Sequence, residues 1–207
     1  MSLRIYQLIL VLLLLVQVSC NMNSVPEYSG TLLDSHDSHK FSLVDHSNRV
    51  ISTSNHGSNV AVLTFMFTAC TDVCPIITHS IKKSLSEIPE NDRIPVIIVS
   101  VDPENDSTEN MTQFINKWDL SSNWSFISGN KSDLSPIWNS YFINPQKYNN
   151  SNQGSIKKLN DALIERQTVI HSSPVYILDK DGNAILVHTN PINTEDLYSD
   201  IIEVMNN

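Results

Sequence analysis

The chain has 207 residues, of which 41% are hydrophobic and 17% are charged, and its formal net charge at neutral pH is −9. This length suits one globular domain of ordinary size with a sizeable core. The acidic balance, together with a sequence that contains no basic patch, argues against a nucleic-acid partner.

The amino terminus has the layout of an export signal. Arg4 precedes an apolar run over residues 8–16 that is short for a membrane span, and the segment ends at Cys20 directly after a small residue. Cys20 resembles the lipidated cysteine of a bacterial lipobox, although Gln17 stands where that motif prefers leucine. The alternative is an uncleaved anchor or a signal cut nearby. Residues 1–20 are therefore predicted to anchor an extracytoplasmic, membrane-bound protein.

The folded domain is predicted to cover residues 41–207. The preceding residues 21–40 are rich in Ser, Asn and Asp, which is typical of a flexible tether. The domain begins with a predicted hairpin, whose strands cover residues 41–45 and 50–52 around a polar turn.

The middle of the domain alternates strands with helices, as judged from continuous apolar runs and helical apolar spacing. The predicted elements are a buried strand over 60–67, a helix from Pro75, a buried strand over 95–101, a helix capped by Asp106 or Ser107, a short strand over 124–127 and a helix from Ser132.

Residues 144–167 are polar and Asn-rich, and they are predicted to form an insertion with a helical stretch over 156–165. Strands over 168–178 and 184–188, joined by an Asp-Gly turn, and a helix capped by Thr194 complete the chain. The order of elements predicts an α/β fold of the thioredoxin-like sandwich type. The predicted fold has an N-terminal β-hairpin. A polar insertion precedes a second hairpin, which carries His171.

Two cysteines, Cys70 and Cys74, are predicted to lie where the first buried strand passes into the next helix. Pro75 fits the first helical position, so Cys74 is expected to cap the helix and Cys70 to lie in the preceding turn. The start of a helix favours thiolate over thiol. The spacing of the two residues allows a disulfide and also allows a soft metal ion to be bound.

A purely structural disulfide is the plainer alternative in an oxidising compartment. A bridge between Cys70 and Cys74 would close only three intervening residues, so it would constrain little chain and add little stability. A functional pair is therefore favoured.

Several segments of the chain resemble motifs of one known family. They are FTACTDVCP at 67–75, VDPENDS at 101–107, WSFISG at 124–129, and VIHSS at 169–173 followed by YILD and DG. In this order they resemble the Sco/SenC family, whose members are tied to assembly of the copper centre in cytochrome c oxidase. The resemblance covers about residues 57–182.

The resemblance implies that Cys70, Cys74 and His171 bind copper on a thioredoxin-like fold. Thiolates are the soft ligands that Cu(I) prefers, and imidazole suits either copper oxidation state. A structural zinc site would normally need a fourth protein ligand. Pro174 departs from the family pattern close to His171 and bears on how that side chain points.

Two functions remain open at this point. The first is a copper chaperone for the dicopper centre of cytochrome c oxidase, with the copper-receiving subunit of the oxidase as its partner. The second is an enzyme, a thiol–disulfide reductase that keeps the cysteines of that centre reduced. In this reductase, Cys70 and Cys74 would form the catalytic redox pair, and a thioredoxin-like protein would supply the electrons. The CxxxC spacing, where thioredoxins have CxxC, and the presence of His171 favour the chaperone.

Overall fold

The computed structural model describes residues 27–36, 38–147 and 169–206. The strands are β1 (Thr31–His36), β2 (Ser42–Val44), β3 (Val50–Ser52), β4 (Val60–Met66), β5 (Val96–Ser100), β6 (Trp124–Ile127), β7 (Gln146–Lys147), β8 (Val169–Ile170), β9 (Val175–Asp179) and β10 (Ala184–His188). The helices are α1 (Val73–Leu85), α2 (Thr108–Lys117), α3 (Lys131–Ser140) and α4 (Thr194–Asn206).

A six-stranded sheet in the order β1-β10-β9-β4-β5-β6 forms the centre of the fold. Strands β4, β5 and β6 run parallel, while β9 is antiparallel to β4, and β10 and β1 continue the antiparallel half. Every residue of β4 and β5 is buried. Their continuous apolar runs follow from this position, because a central strand covered on both faces needs apolar side chains on both.

Helices cover both faces of this sheet. Successive side chains of a strand point to opposite faces. Met66 at the end of β4 accepts a hydrogen bond from Thr78 of α1 at 3.6 Å, whereas the ring of Phe65 packs against Tyr141 after α3 with centroids 5.5 Å apart. Helices α1 and α3 therefore lie on opposite faces, and α4 packs against α1.

The predicted N-terminal hairpin is confirmed as the pair β2–β3. It covers the outer edge of β6, where Asp45 bridges Ile127 and the amide of His46 donates to the carbonyl of Phe126 at 2.9 Å. The Arg49 guanidinium donates to the buried Asp45 carboxylate through two nitrogens, at 2.7 and 2.9 Å. The hairpin thus satisfies backbone groups that an exposed edge strand would leave unpaired.

The predicted strand over 168–178 is wrong in its continuity, because the chain forms β8 and β9 with a break at residues 171–174. Pro174 lies in the break, and proline has no amide hydrogen to give to a strand ladder. Its carbonyl instead accepts a hydrogen bond from the hydroxyl of Thr64 at 2.9 Å. The predicted helical stretch at 156–165 lies outside the described residues.

The starts of α3 and α4 also differ from prediction. Helix α4 is capped by Asn193, whose side chain accepts hydrogen bonds from the amides of Glu195 and Asp196, so Thr194 is its first residue. Helix α3 begins at Lys131 after Asn130, one residue before the predicted Ser132.

Strand β1 lies inside residues 21–40, the range predicted to be a tether, and it pairs with β10. The residues just before β1 are held by a buried carboxylate 170 residues away. Asp200 accepts hydrogen bonds from the amides of Ser29 at 3.0 Å and Gly30 at 2.7 Å, and its other close neighbour is His188, with Nε2 2.9 Å from Oδ2. A Cβ at Gly30 would lie 2.7 Å from that nitrogen, so this close approach requires glycine.

The described helices include none that is long and apolar enough to cross a membrane. Residues 1–20, which carry the predicted anchor, are outside the described ranges.

We expect Asp200→Ala to destabilise the fold strongly. The change leaves the part-buried amides of Ser29 and Gly30 without their acceptor and removes the carboxylate beside buried His188. A buried group left unpaired costs about 1–3 kcal/mol, and since water can reach the amide of exposed Ser29, a loss of about 1–3 kcal/mol in the free energy of unfolding is expected. Urea denaturation measures it. Ser199→Ala, at an exposed position of the same helix, is the control and should change stability by less than about 0.5 kcal/mol. Equal stability of the two variants would contradict the anchoring role of Asp200.

Candidate metal centre

The two cysteines lie where β4 passes into α1. The helix begins at Val73 with Asp72 as its N-cap residue. Cys74 is therefore the second helical residue, which corrects its predicted role as the cap, and Pro75 is the third. Proline is tolerated there because amides of the first turn have no partner inside the helix. Cys70 lies in the preceding turn, as predicted.

The surroundings of the two sulfurs differ. Cys70 is 9% exposed and Cys74 is fully buried, and both are free thiols in the structure. The amide nitrogen of Cys74 donates to the sulfur of Cys70 over 3.4 Å. Both cysteines are thus buried, and Cys70 is the less deeply buried of the two.

Hydrogen bonding gives the two thiols opposite protonation preferences. The pKa of Cys70 is lowered to about 6, first by the S–H that Cys74 donates to it and then by backbone amides at the start of α1, including that of Asp72, against the effect of burial. The same hydrogen bond, together with burial, raises the pKa of Cys74. At neutral pH the pair therefore consists of a reactive thiolate and a buried thiol.

His171 lies in the break between β8 and β9. Its ring packs edge-on against Phe67, the residue after β4, with centroids 5.8 Å apart. Nδ1 lies 2.6 Å from the carbonyl oxygen of Ser172, and since a carbonyl only accepts, Nδ1 carries the hydrogen. Burial lowers the pKa of His171, against the effect of that bond. The neutral ring then keeps its lone pair on Nε2, the atom that a metal ion would use.

The structure brings His171 to the end of β4 where the cysteines lie, but it does not assemble a complete ligand set. Across residues 27–36, 38–147 and 169–206, no three His, Cys, Asp or Glu side chains are grouped so that they could hold a metal ion. The donor types nevertheless fit copper, since two sulfurs and an imidazole nitrogen are ligands of the softness that copper accepts.

Asp106 contacts the turn that carries Cys70, although its place in the sequence indicates only a candidate cap of α2. The cap is Ser107, whose side chain accepts from the amide of Asn110. The Asp106 carboxylate is only 2% exposed. It accepts hydrogen bonds from the amide and hydroxyl of Thr68 at 2.8 and 2.7 Å and from the hydroxyl of Ser100 at 2.5 Å. Burial raises the pKa of Asp106, and these three bonds act against that rise. Its position in the VDPENDS segment was the one sequence feature that could have indicated a role for Asp106, but no local sequence pattern predicts its hydrogen-bond partners.

Comparison with protein families gives one matching model. The model described as SCO1/SenC matches residues 30–206. The SCO1 protein homolog of Bacillus subtilis is 27% identical over 168 residues, which cover 78% of this chain and 79% of that protein. A SCO2-like protein of Rickettsia prowazekii is 25% identical over 146 residues, which cover 69% of this chain but only 64% of that relative's length.

Solved structures show the same fold. ScoI of Bradyrhizobium japonicum with copper bound has a TM-score of 0.64 and 22% identity, covering 81% of this chain and 98% of that one. A SCO1/SenC family lipoprotein of Bacillus anthracis has a TM-score of 0.65 and 23% identity, and the match covers 82% of this chain and 95% of that one. BsSco, described with a disulfide switch, has a TM-score of 0.61 and 22% identity, and the match covers 89% of this chain and 99% of that one. The predicted thioredoxin-like α/β fold is thereby confirmed.

We expect alkylation to distinguish the two cysteines. In the reduced, metal-free protein, iodoacetamide should modify Cys70 with a midpoint near its pKa of about 6, while Cys74 stays largely unmodified at neutral pH because it is buried and protonated. Tandem mass spectrometry locates the label. Cys74→Ala removes the S–H donor and should raise the midpoint of Cys70. Labelling of both cysteines at equal rates in the folded protein would contradict the assignment.

Proposed function

The chain belongs to the SCO1/SenC family, whose model matches residues 30–206, and from that premise we propose that it is a copper chaperone. In this proposal the protein works outside the cytoplasm and binds copper, its cargo, through Cys70, Cys74 and His171. It delivers the metal to the copper-receiving subunit of cytochrome c oxidase for maturation of the dicopper centre.

The observation that carries the proposal is the position of a thiolate, a thiol and a neutral imidazole at one end of β4. The copper bound to Bradyrhizobium japonicum ScoI supports the choice of metal. BsSco is described as a member of the Sco family of cytochrome c oxidase assembly proteins, which supports the choice of recipient. Thiolates hold Cu(I) well, and the imidazole adds a nitrogen ligand that Cu(II) favours.

The hydrogen bond at Nδ1 of His171 supports its proposed role. Histidines that bind metals usually donate their other ring N–H to a carbonyl or carboxylate, which fixes the tautomer and the orientation of the ring. The carbonyl of Ser172 does this here at 2.6 Å. Copper binding would then require the His171 ring, which packs against Phe67, to turn Nε2 toward the two sulfurs.

The buried thiol gives copper binding a predictable dependence on pH. A metal binds the thiolate, so Cys74 must release its proton when it becomes a ligand. Its pKa is raised, whereas that of Cys70 is lowered to about 6. At neutral pH most of the proton release on binding therefore comes from Cys74, and affinity should increase with pH.

A second function is supported by the different protonation preferences of the two sulfurs. A thiolate at Cys70 can attack a partner's disulfide and form a mixed disulfide, releasing one partner thiolate. Cys74, after losing its proton, then displaces the second partner sulfur, which leaves a reduced partner and a Cys70–Cys74 disulfide. A thioredoxin-like reductant would restore the pair. The disulfide switch described for BsSco supports this thiol–disulfide reductase as the alternative.

We expect His171→Ala to separate the two functions. Disulfide exchange needs only the two sulfurs, so its rate and the reduction by dithiothreitol should stay nearly unchanged. Affinity for Cu(II) should fall about a hundredfold or more. Losing a residue that only hydrogen-bonds to a metal ligand already lowers metal affinity about tenfold to a hundredfold, and losing the ligand itself should cost at least as much. Cu(I) should be affected less, because two thiolates can still bind it. Competition titrations against a chelator in both oxidation states measure the effect.

His79→Ala is the matched control, because His79 is an exposed histidine on α1. Its copper affinities should equal those of the wild type. If His171→Ala binds both ions as tightly as the wild type, His171 is not a ligand and the chaperone loses its main support.

For the location, we propose that Cys20 carries the lipid anchor. The Bacillus anthracis neighbour is described as a lipoprotein. In cells fed a radiolabelled fatty acid, the wild-type chain should be labelled and should sediment with membranes, whereas Cys20→Ala should lose the label. Recovery of the unprocessed wild-type chain from the soluble cytoplasmic fraction would contradict this location.

A further inference from the structure

We propose that Asp106 is the positioning residue of this centre: its carboxylate holds the turn over residues 67–72 so that the Cys70 sulfur faces the start of α1. The inference rests on the proposed function in that it concerns the same sulfurs. It adds a residue that binds neither copper nor a partner but determines which sulfur reacts.

The first support is that both oxygens of Asp106 are occupied. Oδ1 accepts the amide and the hydroxyl of Thr68, at 2.8 and 2.7 Å, and Oδ2 accepts the hydroxyl of Ser100 at 2.5 Å. Because one residue of the turn supplies two of the three donors, the carboxylate fixes both the position and the direction of Thr68. Hydrogen bonds to an ionised acceptor are stronger than hydrogen bonds between two neutral groups.

The second support is that the far side of Asp106 is itself fixed. Ser100 is fully buried at the end of β5. Its hydroxyl oxygen accepts the amide of Asp102 at 3.1 Å, and its carbonyl accepts the indole N–H of Trp138 at 2.9 Å. The turn that carries Cys70 is therefore tied through Asp106 to the neighbouring strand and to α3.

The third support is the short path from Thr68 to the sulfur. The amide of Cys70 donates to the carbonyl of Phe67 at 3.2 Å, which closes a turn with Thr68 inside it. Beyond the turn, the amide of Cys74 in the first turn of α1 donates to the Cys70 sulfur at 3.4 Å. If Thr68 is released, the turn can open and this donor loses its alignment with the sulfur.

The test uses the reduced, metal-free, full-length chain in detergent and measures iodoacetamide rates at Cys70 and Cys74 separately by tandem mass spectrometry from pH 5 to pH 8. Asp106→Ala should slow alkylation of Cys70 about tenfold at the low end of this range, where one pKa unit changes the thiolate fraction about tenfold, and less than about twofold at neutral pH. Thr68→Val, which removes only the hydroxyl donor, should slow it in the same direction by less. Thr68→Ser keeps the hydroxyl and should restore the wild-type rate.

Ser107→Ala is the matched control, because it removes the cap of α2 beside Asp106 without touching the turn. It should leave the Cys70 rate unchanged. General loosening of the fold would instead raise the rate at buried Cys74, so the ratio of the two rates separates positioning from instability.

Wild-type rates at Cys70 in both Asp106→Ala and Thr68→Val would overturn the proposal, as would an equal slowing in Ser107→Ala. Should Asp106→Ala fail to fold, as judged by circular dichroism, the Thr68 pair decides the outcome. A wild-type chain that binds no copper in the chelator titration would defeat the proposed function while leaving the positioning result intact.

Discussion

The arrangement of the site depends on the pairing of β4 with a parallel neighbour on one side and an antiparallel neighbour on the other. The end of parallel β5 lies beside the end of β4, which brings Ser100 to the turn that follows β4. Antiparallel β9 instead begins there, with Val175 opposite Thr64. A residue just before β9 must therefore lie beside one just after β4. This explains why His171 contacts Phe67 although the two are far apart in sequence.

The inequality of the two sulfurs follows from this position. A turn that leaves a buried strand and enters a helix has one side toward the surface and one toward the core. Cys70 receives the amides of the helix start, while Cys74 belongs to the helix and is covered by the sheet. The same inequality would suit the proposed metal binding, which needs a ready thiolate, and the alternative disulfide exchange, which needs an attacking thiolate with a second sulfur close to it.

The sequence predicts the parts of the fold that local pattern determines. The order of strands and helices, the N-terminal hairpin and the cysteine turn are visible as apolar runs, helical spacing and turn residues, and the structure agrees. Two of the misses depend on long-range polar contacts. Strand β1 is held by the carboxylate of Asp200, and Asp106 is defined by its bonds to Thr68 and Ser100. No periodicity in the sequence encodes such partners. The copper ligands themselves were inferred from family resemblance, and they stay a prediction.

The contact between His171 and Phe67 is compatible with copper recruitment on energetic grounds. An aromatic pair contributes about 0.5–1.5 kcal/mol beyond the area it buries. Metal binding to a thiolate–imidazole site can supply about ten times that, as structural zinc sites do. The segment that carries His171 is short, because β8 ends at Ile170 and the carbonyl of Pro174 is fixed by Thr64. Movement of the imidazole toward the sulfurs is thus confined to residues 171–173, and it need not disturb the pairing of β9 with β4.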